Sequence, residues 1–158
     1  MASTRVGRME VDRNGLEVLG PQECLRLLGS VSLGRIAVTD RALPVILPVN
    51  FHLAQDQILI RTGRGTKLYA AARNAVVAFE VDAVDPVQHT GWSVMVTGFA
   101  NELIDPAKPP LRELTRAGDV LRIPRWAPRG DERIISISIE LISGRRIFQG
   151  ALASGVRR

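Results

Sequence analysis

The sequence predicts a mainly β (α+β) fold, a six-stranded antiparallel barrel with a few short peripheral helices. Two observations support this prediction. The strand-forming segments cluster in hairpin pairs, without the regular strand–helix alternation of a doubly wound sheet. A sheet of this kind removes its exposed edges when it closes into a small barrel. The chain has 158 residues, which is enough for one domain with its own hydrophobic core.

We expect three segments along the chain. Residues 1–15 form a flexible N-terminal arm, residues 16–150 form the barrel domain, and residues 151–158 form a C-terminal tail. Much of the excess positive charge lies at the two ends, as is usual for solvated tails. The N-terminus lacks the apolar core of a signal peptide, and no apolar run approaches the ~20 residues of a membrane helix. A cytoplasmic location without membrane contact is therefore expected.

The first predicted elements are one helix and a three-stranded meander. Pro21 suits the first position of the helix, and Gly29 ends it. Tight turns connect the three strands, which span residues 33–39, 45–53 and 57–62. Pro48 lies inside the second strand, where it requires an edge position or a bulge.

The second half of the chain is predicted to contain two helices and three strands. The helices span residues 66–74 and 110–117, and the strands span residues 76–81, 91–104 and 133–148. Asp82 and Asp85 are expected in a loop, and Gly98 at a bulge or bend. A loop rich in Pro and Arg covers residues 123–131. The last strand alternates Ile and Ser over residues 135–139, which indicates one buried face.

One basic segment carries the strongest chemical signal. Within seven residues, between a strand and a helix, the chain has three cations and two hydroxyls, namely Arg61, Thr62, Arg64, Thr66 and Lys67. A phosphate monoester suits this set, because Arg and Lys supply charge-assisted hydrogen bonds and a helix start supplies free N–H groups. The alternative is a solvated basic turn. Thr66 could also serve only as the helix N-cap.

Four further residues have two interpretations each. Asn50 lies mid-strand, where Asn is disfavoured, and could meet a polar ring edge or satisfy a bulge made by Pro48. Trp92 and Ser93 open a strand and could contact a cofactor or pack in the core or a dimer interface. Trp126 could cover a pocket mouth or contact a partner.

Several functional classes are not expected. His52 and His89 do not supply the three or four convergent ligands of a metal site, and no Ser/His/Asp triad is visible. The net charge is +5, but aromatics make up only 4% of the chain, so no stacking platform for nucleic acid is present. We therefore predict no metal and no nucleic-acid partner, and we assign no catalytic residue.

Taken in order, six segments of the chain resemble the pyridoxamine 5′-phosphate oxidase-like FMN-binding split β-barrel superfamily, nearest to its nitroimidazole-resistance-like branch. These segments are LGRIA (33–37), LPVN (47–50), IRTGRGTKL (60–68), VAFEVD (77–82), GWSVMVTG (91–98) and GRR (144–146). The resemblance covers roughly residues 16–148. It implies a split barrel and a homodimer with flavin (FMN) at the subunit interface.

The resemblance also implies roles for individual residues. Pro48, Val49 and Asn50 would lie along the isoalloxazine ring. The basic segment from Arg61 to Lys67 would bind the phosphate, and Trp92 and Ser93 would reach the ring from the neighbouring subunit.

The implied function is an FMN-binding oxidoreductase. A deazaflavin-dependent reductase and a non-catalytic flavin- or haem-binding carrier or sensor are the alternatives. The C-terminal stretch lacks the basic and His residues that hold pyridoxamine phosphate in the true oxidase, so we do not expect vitamin-B6 oxidation.

Overall fold

The computed structural model describes residues 10–63, 66–103, 122 and 132–147. These residues contain eight strands and two helices. The strands are β1 (Glu17–Leu19), β2 (Leu33–Asp40), β3 (Leu43–Ala54), β4 (Gln57–Gly63), β5 (Ala75–Asp85), β6 (Thr90–Leu103), β7 (Glu132–Ser138) and β8 (Leu141–Ile147). The helices are α1 (Pro21–Leu28) and α2 (Lys67–Ala72). The predicted helix over residues 110–117, the loop over 123–131 with Trp126, and Arg64 lie outside the described residues.

Six strands close into an antiparallel barrel, which confirms the predicted fold class. The order around the barrel is β6, β5, β2, β3, β4 and β7, and β7 pairs again with β6. Two further strands continue the sheet outside the barrel, because β8 pairs with β6 and β1 pairs with β8. Neither helix in the described part of the chain is long and apolar enough to cross a membrane.

The last part of the chain forms two strands, so the prediction of a single strand over residues 133–148 was wrong. Both β7 and β8 pair with β6, one after the other. Between the pairs Ile137–Ala100 and Leu141–Thr97, three residues of this segment face only two residues of β6. The extra residue is a bulge, and it exchanges the inward and outward faces between β7 and β8.

Gly98 lies opposite this bulge but is not itself bulged, so the bulge, one of the two predicted alternatives, lies on the facing strand. Its pairing with β5 runs without interruption. A Cβ atom at Gly98 would overlap the Ser138 carbonyl oxygen, so glycine permits the close approach of the two strands. The Ser138 hydroxyl accepts the Phe99 N–H at 3.1 Å, and the Glu140 N–H donates to the Thr97 carbonyl at 3.1 Å.

The hairpin of β5 and β6 is longer than predicted, because Asp82 and Asp85 lie in β5 rather than in a loop. Pairing continues as far as Asp85 and Thr90. The Asp85 carboxylate then accepts the N–H groups of Val87 and Gln88 at 2.9 and 3.0 Å. This side chain stabilises the four-residue turn that replaces the predicted loop.

The barrel interior is filled by side chains that alternate along the strands. Phe51 and Phe79 meet edge to face, with ring centroids 4.9 Å apart. Gly34 makes room for the Phe79 ring, which a Cβ atom at that position would overlap. Ile135 and Ile137 also belong to this core, as their alternation with Ser predicted.

The two helices begin and end close to the predicted residues. Pro21 opens α1 and Gly29 caps it, and the helix buries Cys24, Leu27 and Leu28. Burial raises the pKa of the Cys24 thiol, which is 1% exposed. Thr66 caps the short helix α2.

Ion pairs attach the N-terminal residues to β8. Arg145 pairs with Asp12 at 2.9 Å, within the described end of the predicted arm. Arg146 pairs with Glu17 at 3.2 Å and also with Glu23 of α1. The Asp12 carboxylate additionally accepts the Leu16 N–H, and this hydrogen bond is the largest cause of its lowered pKa.

Gly98→Ala should destabilise the protein by about 3 kcal/mol, because the new methyl group overlaps backbone that cannot move without opening the barrel. The free energy of unfolding in urea measures this effect. Gly20→Ala is the control, since a Cβ atom there meets nothing within 4 Å and should cost less than about 1 kcal/mol. Equal losses in the two variants would contradict the proposed close approach.

Glu23→Gln should change the acid dependence of stability. Hydrogen bonds from Arg26 and Arg146 lower the Glu23 pKa from 4.5 to about 2. Because the folded-state pKa is the lower one, this stabilisation is present above pH 4.5 and disappears as the pH falls towards 2.

The urea midpoint of the Gln variant should therefore fall less steeply over that interval than the wild-type midpoint. Glu10→Gln, at an exposed position, should leave the slope unchanged. The interpretation fails if Glu23→Gln also retains the wild-type slope.

Candidate functional site

The outward face of β3 and β4 brings several predicted residues together. Pro48 and Asn50 share the face of their β2 partners Arg35 and Leu33, whereas Val49 points inward and is 9% exposed. The pairing of β3 with β4 extends from Ala54 to Phe51. Continued by one residue, the same register places Asn50 beside Arg61.

Pro48 occupies an edge position, as predicted. Residues 43–50 of β3 pair with β2, and among the described residues no strand pairs with their other edge. Phe51 donates its N–H to the Ser32 carbonyl. By the alternation of an antiparallel ladder, Pro48 and Asn50 direct their backbone groups to the opposite edge. The missing N–H of Pro48 therefore leaves no ladder hydrogen bond unmade.

The predicted phosphate segment joins β4 to α2. Arg61 is half-buried on the outward face, and Thr62 points inward and is 8% exposed. Lys67 is exposed at the first position of α2. The two cations thus lie on either side of a short turn. Thr66, between them, makes the hydrogen bonds that hold this turn.

The hydroxyl of Thr66 is engaged by the turn itself. It lies 2.9 Å from the Thr62 hydroxyl and 2.9 Å from the Gly63 carbonyl, and it accepts the Tyr69 N–H at 3.1 Å. Each threonine has one hydroxyl hydrogen. When Thr66 donates to Gly63, Thr62 donates to Thr66, and neither hydrogen remains for a ligand. Among the described residues of this segment, Arg61 and Lys67 carry the positive charge.

Sequence reasoning missed a polar group beneath this turn. The Tyr69 hydroxyl donates to Glu102 at 2.8 Å, and Glu102 pairs with Arg133 at 3.1 Å. The β4–β7 register places Arg133 opposite Thr62. A signal for Glu102 exists in the sequence, because alternation along β6 assigns it to the inward face with Val96 and Ala100.

A groove of about 440 Å³ adjoins Pro48. Leu33, Arg35 and Asp82 contribute side chains to its lining. Arg35 contacts Asp82 at 2.7 Å and Glu80 at 2.9 Å. Hydrogen bonds to Asp82 and then Glu80 raise the Arg35 pKa, so this guanidinium is already compensated by two carboxylates.

Trp92 and Ser93 lie elsewhere on the same chain. Trp92 is half-buried and lines a second groove of about 360 Å³ with Arg146 and Asp85. Ser93 is exposed on the outward face, opposite Asp82. The strands β5 and β2 lie between β6 and β3. Three strand spacings therefore separate Ser93 from Asn50, a distance of about 14 Å across the sheet. One chain does not bring these two residues against Pro48 and Arg61.

The chain is similar to known proteins over most of its length. A family model described as pyridoxamine 5′-phosphate oxidase matches residues 20–146. An uncharacterized protein from Mycobacterium tuberculosis is 37% identical over 134 residues, which cover 82% of this chain and 84% of that protein.

Solved structures share the fold. The FAD binding protein from Mycobacterium smegmatis is 37% identical, with a TM-score of 0.69, over 83% of this chain and 99% of that one. An FAD-binding protein from Mesorhizobium loti, at 23% identity and a TM-score of 0.67, covers 84% and 99% of the two chains and shows the fold alone. With the family match spanning the barrel, this chain belongs to the pyridoxamine 5′-phosphate oxidase-like split-barrel superfamily.

Proposed function

We propose that the protein is a flavin-nucleotide-binding oxidoreductase. The observation that carries this proposal is the shared outward face of β3 and β4. Pro48 and Asn50 there form a platform beside Arg61, and Lys67 follows across one turn. The FAD binding protein from Mycobacterium smegmatis, 37% identical over nearly its whole length, supports the same ligand class.

The residues present fit a flavin nucleotide. Pro48 directs its carbonyl to an edge that no described strand covers, and the Asn50 side chain can both donate and accept. A ring with polar edges can use both groups. Arg61 and Lys67 can neutralise a phosphate on the ring's side chain.

A bound flavin would supply the chemistry, the exchange of a hydride or of electrons. The protein's part would be binding and orientation. The backbone of β3 would hold the ring in a fixed plane, and Arg61 and Lys67 would anchor its phosphorylated chain. The Thr62–Thr66 hydrogen bond would hold the turn between the two cations. No acid–base residue is required for hydride transfer, where positioning dominates.

Two flavins are the leading candidates. The resemblance of the basic segment favours FMN, whose single phosphate needs one cationic site. The FAD binding protein from Mycobacterium smegmatis favours FAD, which carries a second phosphate and an adenosine. Absorbance and fluorescence of the purified protein, followed by mass spectrometry of the released cofactor, would distinguish FMN, FAD and a deazaflavin. Retention of none of these, before or after their addition, would overturn the proposal.

We further propose a homodimer with the cofactor at the subunit interface. A row of exposed apolar side chains crosses the outward face of the sheet and includes Ile46, Val76, Met95, Phe99 and Leu141, each more than half exposed. Such a contiguous face on a soluble domain favours a protein partner. In a symmetric pair, a second copy could bring Trp92 and Ser93 to the platform that they do not reach within one chain.

Arg61→Ala and Lys67→Ala should each weaken flavin nucleotide binding by about 10- to 100-fold, through loss of a charge-assisted contact. Fluorescence titration of the cofactor-free protein measures the dissociation constants. Arg13→Ala removes an exposed cation from a distant turn and should change nothing. Full binding in both site variants, with an unchanged circular dichroism spectrum, would place the phosphate elsewhere.

Phe99→Lys should convert the dimer to a monomer, because it introduces a charge into the apolar face. Light scattering after size exclusion measures the mass. If the partner completes the site, the monomer should also lose its flavin. Val87→Lys, at an 86% exposed position of the β5–β6 turn, is the matched control. A wild-type monomer that binds flavin fully would contradict the interface proposal.

A further inference from the structure

A continuous series of contacts connects the barrel wall to the predicted phosphate turn. Arg133 of β7 contacts Glu102 of β6 at 3.1 Å, and Glu102 accepts the Tyr69 hydroxyl at 2.8 Å. Tyr69 also donates its backbone N–H to Thr66, and Thr66 contacts Thr62 of β4. Tyr69 thus connects Glu102 of the barrel wall to the N-cap of α2.

The helix α2 needs such an attachment. It has six residues, and an isolated helix of that length is unstable in water. Among its described residues only Ala72 is fully buried, and Leu68, Tyr69 and Ala71 are partly buried against the core. The Tyr69 hydroxyl adds a directional contact near its first turn.

The chemistry of Glu102 makes this contact directional. The side chain of Glu102 is 14% exposed, and its carboxylate lies 3.1 Å from the Arg133 guanidinium. An ionised carboxylate accepts hydrogen bonds and cannot donate them, so the Tyr69 hydroxyl must donate. A hydrogen bond to a charged acceptor in a partly buried site is stronger than one between neutral groups.

We propose that Tyr69, held by Glu102, is a positioning residue that determines how tightly the protein holds the phosphate of its flavin. This inference rests on the proposed function. In this role Tyr69 acts through α2 and needs no contact of its own with the flavin. It fixes α2 against the barrel, and α2 in turn fixes Lys67 relative to Arg61.

The affinity of the cofactor-free protein for FMN, compared with its affinity for riboflavin, tests this inference, because riboflavin lacks the phosphate. Tyr69→Phe should weaken FMN binding by about five- to tenfold and leave riboflavin binding unchanged. The ring and its contact with Arg73 remain in this variant. Glu102→Gln keeps an oxygen that can accept from Tyr69, and it should preserve most of the FMN preference.

A double-mutant cycle measures the coupling between Tyr69 and Lys67 in FMN binding. A general loss of fold stability would not produce this coupling. If Tyr69 acts through Lys67, then Tyr69→Phe should have little further effect on FMN binding once Lys67→Ala is present. Ser30→Ala, which removes a hydroxyl that donates to the Leu27 carbonyl at the end of α1, should leave the FMN-to-riboflavin ratio at the wild-type value.

The outcomes separate this inference from the function on which it rests. A wild-type protein that binds FMN and riboflavin equally well would overturn the phosphate site and the positioning role together. A wild-type preference for FMN that Tyr69→Phe leaves unchanged would overturn the positioning role alone. Additive effects of Tyr69→Phe and Lys67→Ala would overturn the coupling between the two residues.

Discussion

The whole barrel depends on one strand, β6, whose pairing partner along one edge changes partway along its length. Along one edge β6 pairs continuously with β5, and along the other it pairs first with β8 and then with β7. The exchange occurs at Gly98, where the backbone of Ser138 comes too close for any side chain. Since β7 also pairs with β4, this close contact closes the barrel. The same bulge directs β8 outward, where it supports β1 and α1.

Closure of the barrel determines which side chains face the interior and which face outward. The alternation of side chains sends Phe51 and Phe79 to the interior, and Pro48 and Asn50 to the outside. Arg61 faces outward at the same level, while its neighbour Thr62 faces inward beneath the turn. A single strand end therefore supplies a half-buried outward cation and an internal hydroxyl that holds the turn.

Local sequence patterns predicted most of the fold. Pro21 and Gly29 marked the ends of α1, and the Ile–Ser alternation identified the inward face of β7. The same reasoning missed the bulge after Ser138, because the extra residue is defined only by its pairing with β6. It also took Asp82 and Asp85 as loop residues, since cross-strand pairing can extend a hairpin beyond its apolar segment.

The candidate site was predictable only in part, for a related reason. The spacing of Arg61, Thr62, Thr66 and Lys67 is visible in the sequence, and so is the capping tendency of Thr66. The contact of Tyr69 with Glu102 spans 33 positions along the chain and depends on the barrel being closed. The ion pairs of Arg35 with Glu80 and Asp82 likewise require that β2 and β5 be neighbours. No local pattern specifies such neighbours.

The burial of Cys24 gives the protein a built-in reporter. Cys24 is the only thiol of the chain, and it lies on the buried side of α1 beside Gly144. The thiolate is the form that attacks thiol reagents, and burial disfavours the thiolate here. The rate at which an aromatic disulfide labels native protein therefore measures how often α1 separates from β8. This opening can be followed without any engineered probe, and independently of whatever the outward face binds.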